Sequence, residues 1–315
     1  MDRTHLGAAP GAPLPPVARS AAELAAIVGE PNAWAGGPAS GTVKASDDAP
    51  SAPRRAVVMT MGALHEGHLD LVREAVRRAG QVIVTIFVNP LQFGPAEDFD
   101  AYPRDLARDL AALAPFRVAA VYAPTVSDVY PDGDAQVRID PGPMGRVFEG
   151  AIRPGHFAGA LTVIAKLLAR TRPDIALFGR KDAQQLALVQ RMVKDLDLGV
   201  EIVPVPIRRE ADGLAMSSRN RYLSEKQRAQ ALALPHAIEA GKAAAQAGAG
   251  SVEVEAQARA ALGPMEPGMS LDYMSVVDPE SFVPLDAAAA GRALLIGALR
   301  VGSTRLIDNA ELTLA

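Results

Sequence analysis

Residues 55–88 read RAVVMTMGALHEGHLDLVREAVRRAGQVIVTIFV, and the order of periodicities within them decides the fold. The run AVVMT is apolar without alternation, which marks a strand buried on both faces. HLDLVREAVRRAG spaces its apolar residues along one face of a helix and is closed by Gly80. QVIVTIFV is a second continuously apolar strand. Buried strands joined by a helical crossover form a βαβ unit, and such a connection makes the strands parallel.

The same alternation runs downstream. Helices are expected near 105–113, 157–170 and 181–196, and strands at RVAAVYA (117–123), DIALFG (174–179) and VEIVPVP (200–206). The reading is α/β, with a doubly wound, Rossmann-like parallel sheet in an N-terminal domain over 55–207. After it the rhythm breaks into two Ala-rich helices, about 224–247 and 251–262, followed by the strand-like LDYMSVV and RALLIGALRV. This predicts a smaller α+β C-terminal domain over 208–315. Residues 1–54 read as a flexible, Ala/Pro-rich leader with one short helix, SAAELAAIVGE, started by Ser20 or Glu23 and flanked by mobile stretches at 1–18 and 31–54.

Composition narrows the function classes. A length of 315 residues suits two domains, and 49% apolar with 4% aromatic residues implies cores of Ala, Val and Leu. A net charge of −4, from 32 basic and 36 acidic residues, offers no broad field for a nucleic-acid backbone or an anionic membrane. Any anion must therefore be held locally. The absence of cysteine excludes disulfides, thiol catalysis and Cys-based zinc sites, and it fits a reducing cytoplasm. No apolar stretch approaches the roughly 20 residues that span a bilayer, and the first 20 residues lack the apolar core of a signal peptide. A cytoplasmic, soluble protein with neither nucleic acid nor membrane as partner is the expectation.

The segment MTMGALHEGH (59–68) places two of the chain's five histidines at the turn between the first strand and its helix. Zinc needs a third and usually a fourth ligand, and the familiar helical zinc pattern spaces its histidines by four rather than three. A second reading is an ordinary helix cap. The third is a phosphate turn: it lies at the carboxyl edge of a parallel sheet, where helix N-terminal N–H groups favour anions, and Gly62 and Gly67 let backbone approach a ligand closely. His65 and His68, three apart on the first helical turn, can point the same way.

These residues carry a resemblance. HEGH fits the His-x-Gly-His signature of the nucleotidyltransferase superfamily, and TMGALHEGHLDLV resembles the pantoate–β-alanine ligases. Four further segments agree in order and spacing: IFVNPLQFGPAEDFDAYPRDL, FEGAIRPGHFAGALTVIAKLL, PDIALFGRKDAQQLALV and READGLAMSSRNRYLS. Together they cover roughly 55–310. The resemblance implies ATP-dependent condensation of pantoate with β-alanine through a pantoyl adenylate, giving pantothenate, AMP and pyrophosphate. Mg2+ is expected with ATP, a homodimer is the expected assembly, and the C-terminal domain is expected as a lid over the active site.

The resemblance also implies roles by position. Met61, Gly62, Ala63, Leu64, His65, Glu66, Gly67 and His68 would bind ATP, with His68 as proton donor or charge stabiliser at the departing pyrophosphate. Gly179, Arg180, Lys181 and Asp182 would continue the nucleotide site at the carboxyl end of another strand, Lys181 supplying charge and Asp182 accepting from ribose hydroxyls. That places them beside the first turn if the two strands are neighbours. Met216, Ser217, Ser218 and Arg219 match the second, mobile signature, where hydroxyls and a guanidinium cradle phosphate, and Arg208 would contact adenine mainly through backbone. Gln92 and Gln185 match the pantoate ligands, Gln92 also serving β-alanine. Neutral amides suit a carboxylate nucleophile because they bind it without pairing off its charge.

Asn89, Tyr102, Glu149, Arg153 and His156 fall in matching segments as secondary site residues. Asp105 and Asp109 are outer metal-ligand candidates, against which a solvated helix face is the stronger reading. Met59, Arg180 and Ala183 depart from the family pattern without removing a catalytic side chain. Two rivals stand beside this reading. A different adenylating or cytidylyl-transferring enzyme would share both phosphate signatures and lack the Gln92 and Gln185 pair. A nucleotide-binding protein without catalysis is disfavoured by intact His65, His68, Lys181 and Arg219.

Overall fold

The computed structural model describes residues 13–29, 53–95 and 99–315. Along the chain run β1 (Val17–Ala18), α1 (Ala21–Val28), β2 (Arg55–Thr60), α2 (Glu66–Arg78), β3 (Gln81–Ile86), α3 (Leu106–Leu113) and β4 (Ala120–Tyr122). Then come α4 (Val126–Val129), α5 (Glu149–Ile152), α6 (His156–Thr171), β5 (Ile175–Gly179), α7 (Ala183–Asp195) and β6 (Glu201–Val205). The last elements are α8 (Glu225–Ala231), α9 (Ala233–Gln246), α10 (Ser251–Ala261), β7 (Met269–Val277), β8 (Gly291–Val301) and β9 (Thr304–Leu314). They group into two compact units that interleave along the chain. The first comprises Met1–Pro141, Arg153–Phe178 and Leu188–Val205, the second Gly142–Ile152, Gly179–Ala187 and Pro206–Ala315.

The first unit is built on a six-stranded sheet in the order β1-β4-β3-β2-β5-β6, doubly wound as the apolar runs predict. β2 pairs in parallel with β3 on one side (Val57↔Ile83) and with β5 on the other (Val58↔Leu177). The chain therefore moves outward from β2 through β3 and β4, then returns to β5 on the opposite flank. The switch point falls at the carboxyl ends of β2 and β5, where an open α/β sheet leaves its ligand crevice. The condition set from sequence, that these two strands be neighbours, is met. Ala56, Val58, Val84 and Ile175 pack with Leu69, Val72 and Ala75 of α2, so the amphipathic stripe of that helix is buried against the sheet.

The leader needs a correction in its described part. Val17 and Ala18 form an edge strand paired in parallel with Val121 and Tyr122, and Ala18 and Leu24 are buried. Ser20 caps α1 by accepting the Glu23 N–H at 3.1 Å, while Glu23 returns a carboxylate to the Arg19 N–H at 2.8 Å. The other end is tied by Arg55, whose guanidinium donates to the Val28 carbonyl at 3.2 Å and to the Thr171 carbonyl at 3.0 Å. A two-residue strand has too little periodicity to be read in a Pro- and Ala-rich context. The expected mobile flanks over 1–12 and 31–52 lie outside the described residues.

The second unit holds the antiparallel sheet β7-β8-β9. One face packs on Leu234, Ile238, Val254 and Ala258 of α9 and α10 through Leu295, Leu299, Leu306 and Leu312. The other face places Val277, Leu294 and Ile296 against Phe282 and Ala187, with Met144, Phe148 and Ala183 at the margin. Burial on both faces explains why RALLIGALRV is apolar throughout instead of alternating. The single Ala-rich helix expected over 224–247 is two helices, broken at Leu232. Pro235 lacks an N–H and its ring excludes the carbonyl four residues back, so α8 ends at Ala231 and Pro235 enters the first turn of α9. β9 was not anticipated. Its Asp308, Asn309 and Glu311 depress strand propensity, and its pairing with β8 overrides that local preference (Gly297↔Asp308, Ile296↔Asn309).

Docking of α1 can be checked directly. Leu24 is 2% exposed, so Leu24→Ala is expected to cost about 3 kcal/mol, as large-to-small changes at closed core sites do, read as a lower urea midpoint. A midpoint shift equivalent to less than about 0.5 kcal/mol would show that the leader helix does not pack on the sheet.

Candidate active site

After β2 the backbone makes a tight reversal in which Gly62 has φ 85° and Ala63 φ 51°. A Cβ on Gly62 would lie 2.9 Å from a carboxylate oxygen of Asp109, so glycine is required both by conformation and by contact. Asp109, on α3, is 2% exposed. Its two oxygens accept the Ala63 N–H at 3.0 Å and the Leu64 N–H at 2.8 Å. Burial raises the pKa of this carboxyl group, and the Leu64 and Ala63 amides oppose the rise. The expectation of a solvated Asp109 is thereby corrected. The side chain turns inward to hold the 62–64 turn, while Asp105 caps α3 through the Arg108 N–H at 3.0 Å.

His65 is the N-cap of α2 with extended backbone, and the His65 and His68 rings stack with centroids 4.0 Å apart. The His65 N–H donates to His68 Nδ1 at 3.3 Å. With Nδ1 acting as acceptor, a neutral His68 carries its proton on Nε2. The capping and phosphate readings of the pair are therefore compatible: cap contacts orient the ring whose far nitrogen bears the donor. Glu66 is taken up by Arg73, about two turns further along the same face of α2, at 2.8 Å.

Gln92 closes a 3-10 turn, Pro90–Gln92, after β3. Its Nε2 lies 3.1 Å from Met61 Sδ, which brings it to the first signature. Its Oε1 accepts from Asn89 Nδ2 at 3.2 Å, and Asn89 is itself held by the Gly159 carbonyl at 3.1 Å and the Tyr130 hydroxyl at 2.8 Å. Burial pushes the Tyr130 phenol up to about 12, so it remains a donor throughout the neutral range. His156 Nδ1 lies 2.9 Å from the Gln92 carbonyl and its Nε2 lies 3.0 Å from Arg153 Nη1. Because carbonyl and guanidinium have fixed roles, the first nitrogen must donate and the second accept. Tyr102 is buried and packs edge-on against Phe93. The structure thus gathers Met61, His65, His68 and Gln92 with Asn89, Arg153 and His156 in the first unit.

In the second unit, Gly179 precedes a 3-10 turn, Arg180–Asp182, instead of opening an α-helix at 181 as expected. Asn309 explains the tighter turn: its Nδ2 donates to the carbonyls of both Arg180 and Lys181 at 3.0 Å. Arg180 pairs with Glu311, and Lys181 Nζ is 3.5 Å from Asp182. The two adjacent glutamines of α7 have different fates. Gln184 is buried and commits its amide to the carbonyls of Met144 (2.7 Å) and Val147 (2.9 Å) and to the Glu149 N–H (3.1 Å). Among the described residues no hydrogen bond engages the amide of Gln185, which is half-buried. Glu149 is a structural tie: its carboxylate meets Arg305 at 2.5 and 2.6 Å and the Tyr273 hydroxyl at 2.6 Å. Burial beside that carboxylate raises the Tyr273 pKa.

The segment 208–219 folds back on itself before the Ser-Ser-Arg stretch. Arg209 bridges Ala215, and the Arg208 carbonyl accepts the Met216 N–H at 2.9 Å, so part of the backbone expected at adenine also closes this hairpin. Ser217 caps the 3-10 turn Ser218–Tyr222. Asn220 anchors it by donating to Glu210 Oε1 at 2.6 Å and to the Ala215 carbonyl at 3.1 Å, and Arg228 holds Glu210 at 2.6 Å. Arg209 forms a bidentate pair with buried Asp308 at 2.6 and 3.0 Å. Asp109, Asn309, Asp308 and Asn220 were not singled out as anchors from sequence. Asn220 adjoins a motif, but no spacing rule points to the other three.

Comparison with known proteins gives a consistent result. A family model described as pantoate-beta-alanine ligase matches residues 42–311. The pantothenate synthetase of Streptomyces coelicolor is 50% identical over 306 residues, covering 82% of this chain and 91% of its own. That of Salinispora arenicola is 55% identical over 259 residues, with 82% and 91% covered. Among solved structures, the crystal structure of pantothenate synthetase from Thermus thermophilus matches with TM-score 0.81 and 42% identity, over 94% of this chain and 98% of that one. The pantoate-beta-alanine ligase of Francisella tularensis, solved with βγ ATP and β-alanine, matches with TM-score 0.71 and 30% identity, over 94% and 97%.

Gly159 tests how tightly Gln92 is held. A Cβ there would stand 2.0 Å from the Leu91 carbonyl oxygen and 2.8 Å from the Gln92 nitrogen, whereas one on Gly179 meets nothing within 4 Å. Gly159→Ala is expected to displace the Pro90–Gln92 turn and destabilise by about 2 kcal/mol or more, as backbone overpacking does. Gly179→Ala should melt within a few degrees of the parent. Equal melting temperatures for all three proteins would contradict the close approach.

Proposed function

Because this chain belongs to the pantoate–β-alanine ligase family, we propose how its own residues carry out the ATP-dependent joining of pantoate to β-alanine that yields pantothenate. A carboxylate is a poor acyl donor because oxide is a bad leaving group. A pantoate carboxylate oxygen attacks the α-phosphorus of ATP, the bond from that phosphorus to the bridging oxygen breaks, and pyrophosphate departs. The β-alanine amine then attacks the acyl carbon of the pantoyl adenylate, AMP leaves with the bonding pair, and the amine loses a proton. Both steps accumulate negative charge on phosphate oxygens, and the protein's main task is to meet that charge with fixed donors.

The observation that carries this reading is the held turn of 62–64 followed by His68, whose Nε2 is left to bear the proton by the His65 N–H on Nδ1. ATP would lie on residues 61–68 with its phosphates at this turn, and His68 would donate to oxygens that gain charge as pyrophosphate leaves. Protonating Nδ1 would displace the backbone amide it accepts, so the geometry supports a neutral Nε2–H donor over an imidazolium acid. Gly179, Arg180, Lys181 and Asp182 would add a cation at phosphate and an acceptor at ribose. Met216, Ser217, Ser218 and Arg219 would add two hydroxyls and a guanidinium, with Arg208 contacting the base. Gln92 and Gln185 would hold pantoate, and Gln92 β-alanine.

Mg2+ is proposed to enter with ATP, coordinated chiefly by phosphate oxygens and water. Among the described residues no group of three or more His, Asp or Glu side chains converges as a ligand set, and both Asp109 oxygens are occupied by amides. No described helix is long and apolar enough to cross a membrane. Homodimerisation, a cytoplasmic location and a lid role for the C-terminal domain are retained as proposals from the family resemblance.

Two substitutions test the assignments. His68→Ala is expected to lower the turnover of adenylation about 100-fold or more while changing ATP affinity far less, because the donor meets charge that grows in the transition state. Proportional losses in kcat and in ATP binding would contradict that role. Gln92→Ala should chiefly raise the KM for pantoate, measured as pyrophosphate release at saturating ATP; an unchanged pantoate KM would remove Gln92 from the site.

A further inference from the structure

Strand β9 divides its side chains by the alternation of a pleated strand. Leu306, Leu312 and Leu314 pack into the helical core of the second unit, and Asp308 shares their face. Arg305, Asn309 and Glu311 leave the opposite face, where they reach Glu149, the Arg180 and Lys181 carbonyls, and Arg180. Asn309 is 6% exposed, and both N–H bonds of its amide are used on two successive carbonyls of the turn that carries Lys181. Next to it, the Asp308 carboxylate accepts the Asn309 N–H at 2.8 Å while held bidentately by Arg209. One dipeptide is therefore bonded to both nucleotide segments of this unit: to 180–181 through Asn309, and to the base of the 208–219 hairpin through Arg209.

We propose that Asn309 is a positioning residue for Lys181, fixing the Arg180–Asp182 turn in its 3-10 form so that the ammonium is delivered to phosphate without a search over turn conformations. The lysine stem has four rotatable bonds, so its usefulness as a fixed charge depends on where its backbone is set. An α-helical start at 181 would rotate the side chain about the helix axis relative to its position in the tighter turn. The two carbonyl contacts select between these forms, and no side chain of the turn is consumed in doing so. The proposal rests on the reading of Lys181 as a phosphate ligand.

The test is a double-mutant cycle on the full chain, with pyrophosphate release from ATP and pantoate as readout and with kcat and the KM for each substrate taken separately. Asn309→Ala is expected to lower kcat about tenfold, the scale of lost charge-positioning bonds, with the KM for pantoate unchanged. In a Lys181→Ala background the same substitution should cost less than about twofold, since a residue acting through Lys181 has nothing left to act on. If Asn309→Ala lowers the melting temperature too far for assay, Asn309→Ser carries the same comparison. A kcat within about twofold of the parent, or a tenfold loss that recurs in the Lys181→Ala background, would overturn the positioning role. A Lys181→Ala protein with parental kcat would instead overturn the reading of Lys181 itself, and the positioning role with it.

Discussion

A short turn between regular elements leaves main-chain amides and carbonyls without ladder partners, so it is fixed only where other groups take them up. This chain meets the constraint with a buried polar side chain set against each turn. Asp109 takes the amides of residues 63 and 64, Asn309 takes the carbonyls of 180 and 181, and Asn220 takes the Ala215 carbonyl at the start of the Ser-Ser-Arg stretch. All three anchors are at most 6% exposed. The segments proposed to meet nucleotide are thus held through main-chain atoms.

This division of labour explains what was legible in the sequence. Side chains proposed to touch substrate sit in short, dense motifs such as HEGH and MSSR, because one turn of backbone presents them all. The strands that support those motifs are readable for a different reason: burial on both faces makes AVVMT, QVIVTI and RALLIGALRV continuously apolar. Anchors leave neither signal. Asp109 lies in a helix of mixed polarity, 45 residues from one of the amides it accepts, and its sequence surroundings fit a solvated carboxylate equally well. Asn309 lies 128 residues from Lys181, in a strand whose charges hide its periodicity.

The elements misplaced from sequence share this cause. β1 is two residues long and exists because β4 offers it an edge, so its formation is decided by pairing. The 3-10 turn at 180–182 follows a strand and precedes good helix formers, and local propensity extends the helix over it. The break at Leu232 is the exception, since Pro235 stood in plain view. The two glutamines of α7 show the limit most clearly. Identical in chemistry and adjacent in sequence, they differ by about 100° around a helix, which turns Gln184 onto the Met144 and Val147 carbonyls and spares Gln185.

The buried Arg209–Asp308 pair bears on why β9 keeps its register. Burial raises the Asp308 pKa against the pull of Arg209, so the charged form is held at a cost on a face otherwise lined by leucine. An apolar residue of the same size would avoid that cost and is often the more stable choice. The charge contributes specificity instead. A one-residue slip of β9 against β8 would exchange the faces of Asp308 and Asn309, leaving Arg209 without its carboxylate, placing a carboxylate against two carbonyls, and turning Leu306 and Leu312 out of the core. Apolar residues at both positions would make such a slip far less unfavourable. The buried ion pair therefore protects the alignment through which β9 sets the turn carrying Lys181, and a conformational requirement of the proposed chemistry is met in the interior of the fold.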